Sequence, residues 1–247
     1  MEDFKGKKIL ICGASRGIGY ALALKLMEHG AFLILHAASD IGISKLKTKF
    51  KNSDVKFWQA DFSNPNDIIE TLDTILSSIG ALDGFVNCVG MRLRRPLKQL
   101  NPNILQRAFN TNVVSYFEIM RFITQKRRYN PGLSIISISS ISVHAGSLGV
   151  SGYAATKGAI ESATKSLAKE LHKKSIRVNT IVCGQVNTEE YQTIIKNNGN
   201  EPDKILDRQY MGLLEPEAIA NTCLYLLSDQ SNFISGTSFP ADAGYLH

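Results

Sequence analysis

Lys8-Ile9-Leu10-Ile11-Cys12-Gly13-Ala14-Ser15-Arg16-Gly17-Ile18-Gly19 is the stretch that decides how the rest of the chain is read. It opens with a short apolar run of strand length. Seven residues with the glycine spacing G-x-x-x-G-x-G follow, and helical periodicity then runs over Ile18–His29. Glycine lets a backbone approach a ligand closely, and a helix start offers N–H groups and the positive end of its dipole to an anion such as a pyrophosphate. No Lys-Ser or Lys-Thr follows, so the turn is not a nucleoside-triphosphate P-loop. A purely structural turn is the competing reading.

Outward from this turn, apolar runs alternate with helical patterns. Strand-like runs are Lys8–Cys12, Phe32–His36, Val55–Gln59, Gly84–Cys88, Leu133–Ser139, Arg177–Val182 and Ser235–Phe239. Helical periodicity covers Ile18–His29, Ile41–Phe50, Pro65–Ile79, Asn103–Lys126, Tyr153–His172 and Pro216–Ser228. Strands joined through helices imply right-handed crossovers and a parallel sheet, and apolar strands imply helices on both faces. The expected fold is α/β: a doubly wound, seven-stranded parallel sheet in a single domain over residues 1–247. No linker, repeat or low-complexity segment interrupts it. Patterning is weakest over residues 187–213, around Asn197-Asn198-Gly199-Asn200, which predicts a mobile insertion with one or two short helices acting as a substrate lid.

The chain's 247 residues are 44% hydrophobic and 20% charged, which excludes a disordered chain. No apolar run reaches the ~18–20 residues needed to span a bilayer. Met1-Glu2-Asp3-Phe4-Lys5-Gly6 does not read as a secretory signal. Cys12, Cys88, Cys183 and Cys223 are far apart, and His29, His36, His144, His172 and His247 lack metal spacing. Neither a metal site nor a disulfide framework is expected, and a reducing cytoplasm is the expected compartment. Net charge is +6, with basic groups at Arg92, Arg94 and Arg95, at Lys126-Arg127-Arg128 and at Lys173-Lys174. These are either solvated helix ends and loops or a basic rim for an anionic partner. No nucleic-acid-binding motif accompanies them.

The end of the second strand reports on a ribose. A site for NAD usually places an acid there for the 2′-hydroxyl. Here the residues are His36-Ala37-Ala38-Ser39. Asp40 comes late and suits a helix cap, whereas Arg16 suits a 2′-phosphate. NADP(H) is therefore favoured over NAD(H), with Asp40 the residue against it.

Tyr153 and Lys157 are four apart at the start of a helical pattern and share one face. A nearby ammonium favours the phenolate, which would lower the Tyr pKa from ~10 and suit it to exchange a proton with a carbonyl or alcohol oxygen. Ser140 lies just after the strand Leu133–Ser139, at the carboxyl edge where open α/β sheets bind ligands. Its hydroxyl could hold the same oxygen, with Ser139 and Ser142 as rival assignments.

In this order the glycine turn, Asp61, Asn87-Cys88-Val89-Gly90, Asn112, Ser140, Tyr153, Lys157 and Asn179-Thr180-Ile181-Val182-Cys183-Gly184 resemble the short-chain dehydrogenase/reductase family over essentially the whole chain. The resemblance implies Tyr153 as general acid/base, Lys157 on the nicotinamide ribose, Ser140 on the substrate carbonyl, and Asn112 supporting a proton-relay water. A helix cap is the bland reading of Asn112. For the cofactor it implies Gly13, Ser15, Arg16, Gly17, Ile18, Gly19, Ala37, Ser39, Asp61, Phe62, Asn87, Gly90, Val186 and Thr188, with Tyr153 and Lys157. Departures are Cys12, Cys88-Val89, Cys183 in place of a Pro, and Ala241-Asp242-Ala243-Gly244. They bear on local backbone geometry rather than on the reacting atoms.

Within the family the chain is most similar to 3-oxoacyl-(acyl carrier protein) reductases of fatty acid biosynthesis. That likeness implies an acidic carrier protein meeting Arg128 and Lys174 beside the cleft. It also implies a homotetramer or dimer built through Asn103–Lys126 and Tyr153–His172. The expected activity is NADPH-dependent reduction of a ketone, a 3-oxoacyl thioester first. The alternatives are a sugar or other small-molecule ketone, or a non-catalytic NADP-binding scaffold. Residues 91–97 and the lid decide substrate, and neither is diagnostic.

Overall fold

The computed structural model describes residues 3–51, 54–197 and 204–246. Strand β1 (Lys8–Cys12) lies between β2 (Phe32–Ala37) and β4 (Leu82–Asn87). Strand β3 (Val55–Gln59) pairs outside β2. On the other side β5 (Tyr129–Ser140), β6 (Arg177–Cys183) and β7 (Ser238–Ala241) follow in turn. The order is β3-β2-β1-β4-β5-β6-β7, all pairs parallel. This is the expected seven-stranded, doubly wound sheet, whose order reverses between β1 and β4.

Strand alternation divides the core. Ile9 and Ile11 face α1 (Gly17–Glu28), α2 (Asp40–Lys49) and α9 (Pro216–Leu227). Leu10 and Cys12 face the opposite layer, built from α3 (Ile68–Ile79), α5 (Ser115–Ile123) and α7 (Ser151–Leu171). Both faces are sealed, so the apolar strands need no polar side. The remaining helices are α4 (Pro102–Phe109), α6 (Ser142–Ala145) and α8 (Glu189–Asn197). No described helix is long and apolar enough to cross a membrane.

Several boundaries differ from expectation. The final strand begins at Ser238 rather than Ser235, after a bend at Gly236. Pro65–Asp67 is a 3₁₀ turn ahead of α3. The single helix expected over Asn103–Lys126 is α4 and α5 joined by a π turn at Asn110–Val114, and it ends at Ile123. Hydrophobic periodicity cannot register one extra residue per turn; π turns of this kind are frequent at functional sites. In the insertion, α8 and a 3₁₀ turn at Lys204–Asp207 are present, and residues 198–203 lie outside the described residues. The insertion is pinned to the segment just beyond β6. Val186 bridges Leu214, and the buried Gln209 amide accepts from the Gln185 N–H at 2.7 Å and donates to the Gln185 carbonyl at 3.0 Å.

Candidate active site

The carboxyl ends of β1, β4, β5 and β6 open into one cleft of about 1050 Å³. At its floor Gly13 and Gly17 have φ of +80° and +53°, which favour glycine. A Cβ on Gly19 would lie 2.3 Å from the Gly13 carbonyl oxygen, so α1 and β1 approach too closely for any side chain there. Arg16 precedes α1 without capping it. Instead the Glu189 carboxylate, from α8, accepts the Gly17 N–H at 3.0 Å and pairs with Lys45 at 3.4 Å. Burial opposes its ionisation, but these backbone and lysine contacts hold its carboxyl below the usual range. An anion thus already rests where a helix start attracts one. Arg16 and Lys45 both line this end of the cleft. A glycine cradle, a helix start and two cations fit a dinucleotide with an extra phosphate, and the Glu189 carboxylate competes with it for the helix start.

His36 holds the turn from below. Its Nδ1 accepts the Gly13 N–H at 3.1 Å, and its Nε2 donates to the Ala60 carbonyl at 2.9 Å. The ring stacks on Phe62 with centroids 4.1 Å apart. Burial pushes its pKa down to about 4, against smaller opposing effects of the Ala60 carbonyl and Asp61. Sequence reading missed it; the signal was a polar residue ending an otherwise apolar strand. Ser15, Ile18, Ala37, Ser39, Asp61 and Phe62 line the same end. Asp40 neither lines the cleft nor caps α2. Ser39 is the cap, accepting the Gly42 N–H at 3.2 Å. Asn87 is buried and lies outside the lining: its amide oxygen accepts the Val89 N–H at 3.2 Å and shapes the turn whose residues 88–90 face the cleft.

At the other end Ser140, Tyr153 and Lys157 come together. Strand alternation turns Ser139 inward to the Glu161 carboxylate and leaves Ser140 facing the cleft. The Ser140 oxygen accepts from the Ser142 N–H at 3.2 Å and hydroxyl at 3.0 Å, so its own proton can be donated. Lys157, 4% exposed, donates to the carbonyls of Val89 at 3.1 Å and Ile138 at 2.9 Å, and its amine lies 5.9 Å from the Tyr153 ring centroid. Burial pushes its pKa down to about 8, with Cys88, Cys183 and Glu161 acting the other way.

The expected fall in the Tyr153 pKa is overturned. Burial pushes it up to about 12, and the cation that opposes this is Arg92, a cleft-lining residue from the basic group at residues 92–95. A hydrogen bond with Ser140 also opposes it, while Cys183 and Glu190 add to the rise. Lys157 spends its contacts on carbonyls instead. The phenol therefore holds its proton at neutral pH and, before cofactor and substrate bind, is a weaker acid than a free phenol.

Asn112 is no helix cap. It sits buried in the π turn, where its amide accepts the Met91 N–H at 2.7 Å and donates to the Met91 carbonyl at 3.2 Å and the Thr156 hydroxyl at 2.9 Å. It ties the segment after β4 to the Tyr153 helix without lining the cleft. Gly90, Val186 and Thr188 line it, and so does Tyr245, also unforeseen. Arg128 and Lys174 are not brought to the cleft. They precede β5 and β6, at the amino edge of a sheet whose carboxyl edge carries the site. Arg128 pairs with Asp73, and Lys174 donates to the Thr124 carbonyl at 3.2 Å. The cations at the cleft are Arg16, Lys45, Arg92, Arg94, Arg107 and Lys157. No cluster of metal-ligating side chains occurs among the described residues, whose four cysteines are free.

A family model described as enoyl-(acyl carrier protein) reductase matches residues 13–246. The 3-oxoacyl-[acyl-carrier-protein] reductase FabG of Chlamydia muridarum is 31% identical, over 96% of each chain. Carbonyl reductase [NADPH] 2 of Sus scrofa is 29% identical over 99% of this chain and 98% of its own. Among solved structures, a short-chain dehydrogenase/reductase from Serratia marcescens superposes with a TM-score of 0.85 at 26% identity, each chain fully covered.

Proposed function

Since this chain belongs to the short-chain dehydrogenase/reductase family of oxidoreductases, we propose that it is an NADPH-dependent carbonyl reductase whose proton donor is Tyr153. The observation that carries this reading is the meeting of Ser140, Tyr153 and Lys157 in one cleft with the glycine turn, Arg16 and Lys45. The bound nicotinamide supplies the hydride. Ser140 donates a hydrogen bond to the substrate carbonyl and orients it. Tyr153 gives the oxygen its proton. Lys157 keeps a positive charge beside the nicotinamide ribose, and Asn112 keeps Met91 and the Tyr153 helix in register.

Arg16 and Lys45 support preference for the 2′-phosphate, as does the NADPH in the name of the Sus scrofa relative. Gly13, Ser15, Gly17, Ile18, Gly19, Ala37 and Ser39 cradle the phosphates and ribose; Asp61 and Phe62 meet the adenine; Gly90, Val186 and Thr188 meet the nicotinamide. One domain carries the whole site, and the insertion over residues 187–213, of which 187–197 and 204–213 are described, is its substrate lid. Val114 and Phe117, exposed on the helices expected to mediate assembly, support a dimer or tetramer.

A 3-oxoacyl thioester is the leading substrate, on the likeness to carrier-protein reductases. The docking rim for an acidic carrier is Arg92, Arg94 and Arg107, which line the cleft, rather than Arg128 and Lys174. A sugar or other small-molecule ketone is the second reading, favoured by the Sus scrofa relative, which is named for carbonyl reduction without a carrier protein. The test is turnover of NADPH, then NADH, with acyl thioesters and a panel of small ketones. Faster turnover with NADPH and with thioesters is expected. Better use of NADH overturns the phosphate reading, activity only on small ketones overturns the thioester, and no turnover with intact NADPH binding favours the scaffold.

A further inference from the structure

We propose that Glu161 is a positioning residue: its buried carboxylate, shared between Ser139 and His144, keeps Lys157 charged and locks the end of β5 to the helix bearing Tyr153. The inference rests on the reading of Lys157 and Tyr153 above.

Tyr153, Lys157 and Glu161 follow at successive four-residue steps on one face of α7. Glu161 is 6% exposed, and a carboxylate is costly to bury. An apolar side chain would pack there without that cost, so the carboxylate must answer a local need. Both of its oxygens are used. The Ser139 hydroxyl donates to Oε1, and His144 Nε2 donates to Oε2 at 2.9 Å. One side chain thereby joins β5, α6 and α7. Ser139 is fixed inward, and the neighbouring Ser140 is held toward Tyr153.

Charge gives Glu161 its second role. The groups facing Lys157 are Cys88 after β4, Cys183 at the end of β6, and Tyr153 and Glu161 on its own helix. Those facing Glu161 are Ser139 from β5, His144 from α6 and Lys157. Burial pushes the thiols up, Cys88 to about 12 and Cys183 further, and so holds them neutral. Tyr153 is neutral as well. Among these neighbours of the buried amine, Glu161 is the remaining source of negative charge. Removing that charge takes away one of the influences that oppose the desolvation of Lys157, and its proton is lost at lower pH.

The test follows the Lys157 amine by ¹⁵N NMR from neutral to alkaline pH in cofactor-free protein. Native protein is compared with Glu161→Gln, which keeps the shape, and Glu161→Met, which removes polarity and guards against a folding failure of the first. Each variant is first checked by its melting temperature. We expect the Lys157 titration to move at least about half a pH unit lower in either folded variant. The high-pH loss of kcat should move with it. An unmoved titration overturns the proposal even if kcat falls. Because the NMR titration needs neither cofactor nor turnover, a native protein that fails to bind NADPH overturns the proposed function separately.

Discussion

Nδ1 of His36 accepts the backbone N–H of Gly13 at 3.1 Å, so the first glycine of the phosphate-binding turn hangs on a neutral imidazole. Protonation would place an N–H where an acceptor is required. The folded ring titrates at about 4 against an ordinary 6.5, so between these values the unfolded chain binds more protons. Stability present above pH 6.5 is thus lost as pH falls toward 4, by about 3 kcal/mol at most. The melting temperature of native protein should drop across this window. His36→Phe, which preserves the stack on Phe62, should flatten that limb. An equal acid limb in the variant would remove His36 from the account.

Tyr153→Phe deletes the proton donor while preserving the ring. Turnover of any accepted ketone should fall by roughly 10²–10⁴ with NADPH affinity within a few fold of native. In the native enzyme, Tyr153 titrating at about 12 does not limit activity below alkaline pH. Any decline beginning near pH 8 should instead track Lys157. A pH–rate profile of kcat checks both statements.

Gly19→Ala sets a methyl 2.3 Å from the Gly13 carbonyl oxygen, and backbone cannot yield as a side-chain tip can. The variant should lose about 1–3 kcal/mol of stability and bind NADPH at least tenfold more weakly. Denaturant melts and fluorescence titration measure the two effects.

Glu189→Gln takes a negative charge away from the start of α1. In native protein this carboxylate holds the Gly17 N–H that a phosphate at the start of α1 would use. The variant should bind NADPH about two- to fivefold more tightly at low salt, with the gain shrinking as salt is raised. Calorimetric Kd values in both proteins would show it; weaker binding would mean that Glu189 supports the dinucleotide instead.

The sheet was readable because strands buried on both faces are written as near-continuous apolar runs, as in Ile9-Leu10-Ile11 and Ile135-Ile136. The glycine turn and the four-residue step from Tyr153 to Lys157 were readable because local geometry fixes them. The sign of the Tyr153 shift was not, because desolvation comes from tertiary packing while a neighbouring charge is visible in sequence. The π turn escaped for want of any distinct hydrophobic period. The placing of Arg128 and Lys174 was an error that topology corrects. A residue just before a parallel strand lies at the amino edge, opposite the ligands.

An ammonium has three protons to share. Lys157 assigns two of them to main-chain oxygens, at Val89 just beyond β4 and at Ile138 in β5. The side chain is thus a clasp across adjacent strand ends as well as a charge, with a single donor left over. Any sugar diol that reaches it must make do with that one proton or loosen the clasp, and a Lys157 substitution will report on sheet cohesion together with chemistry.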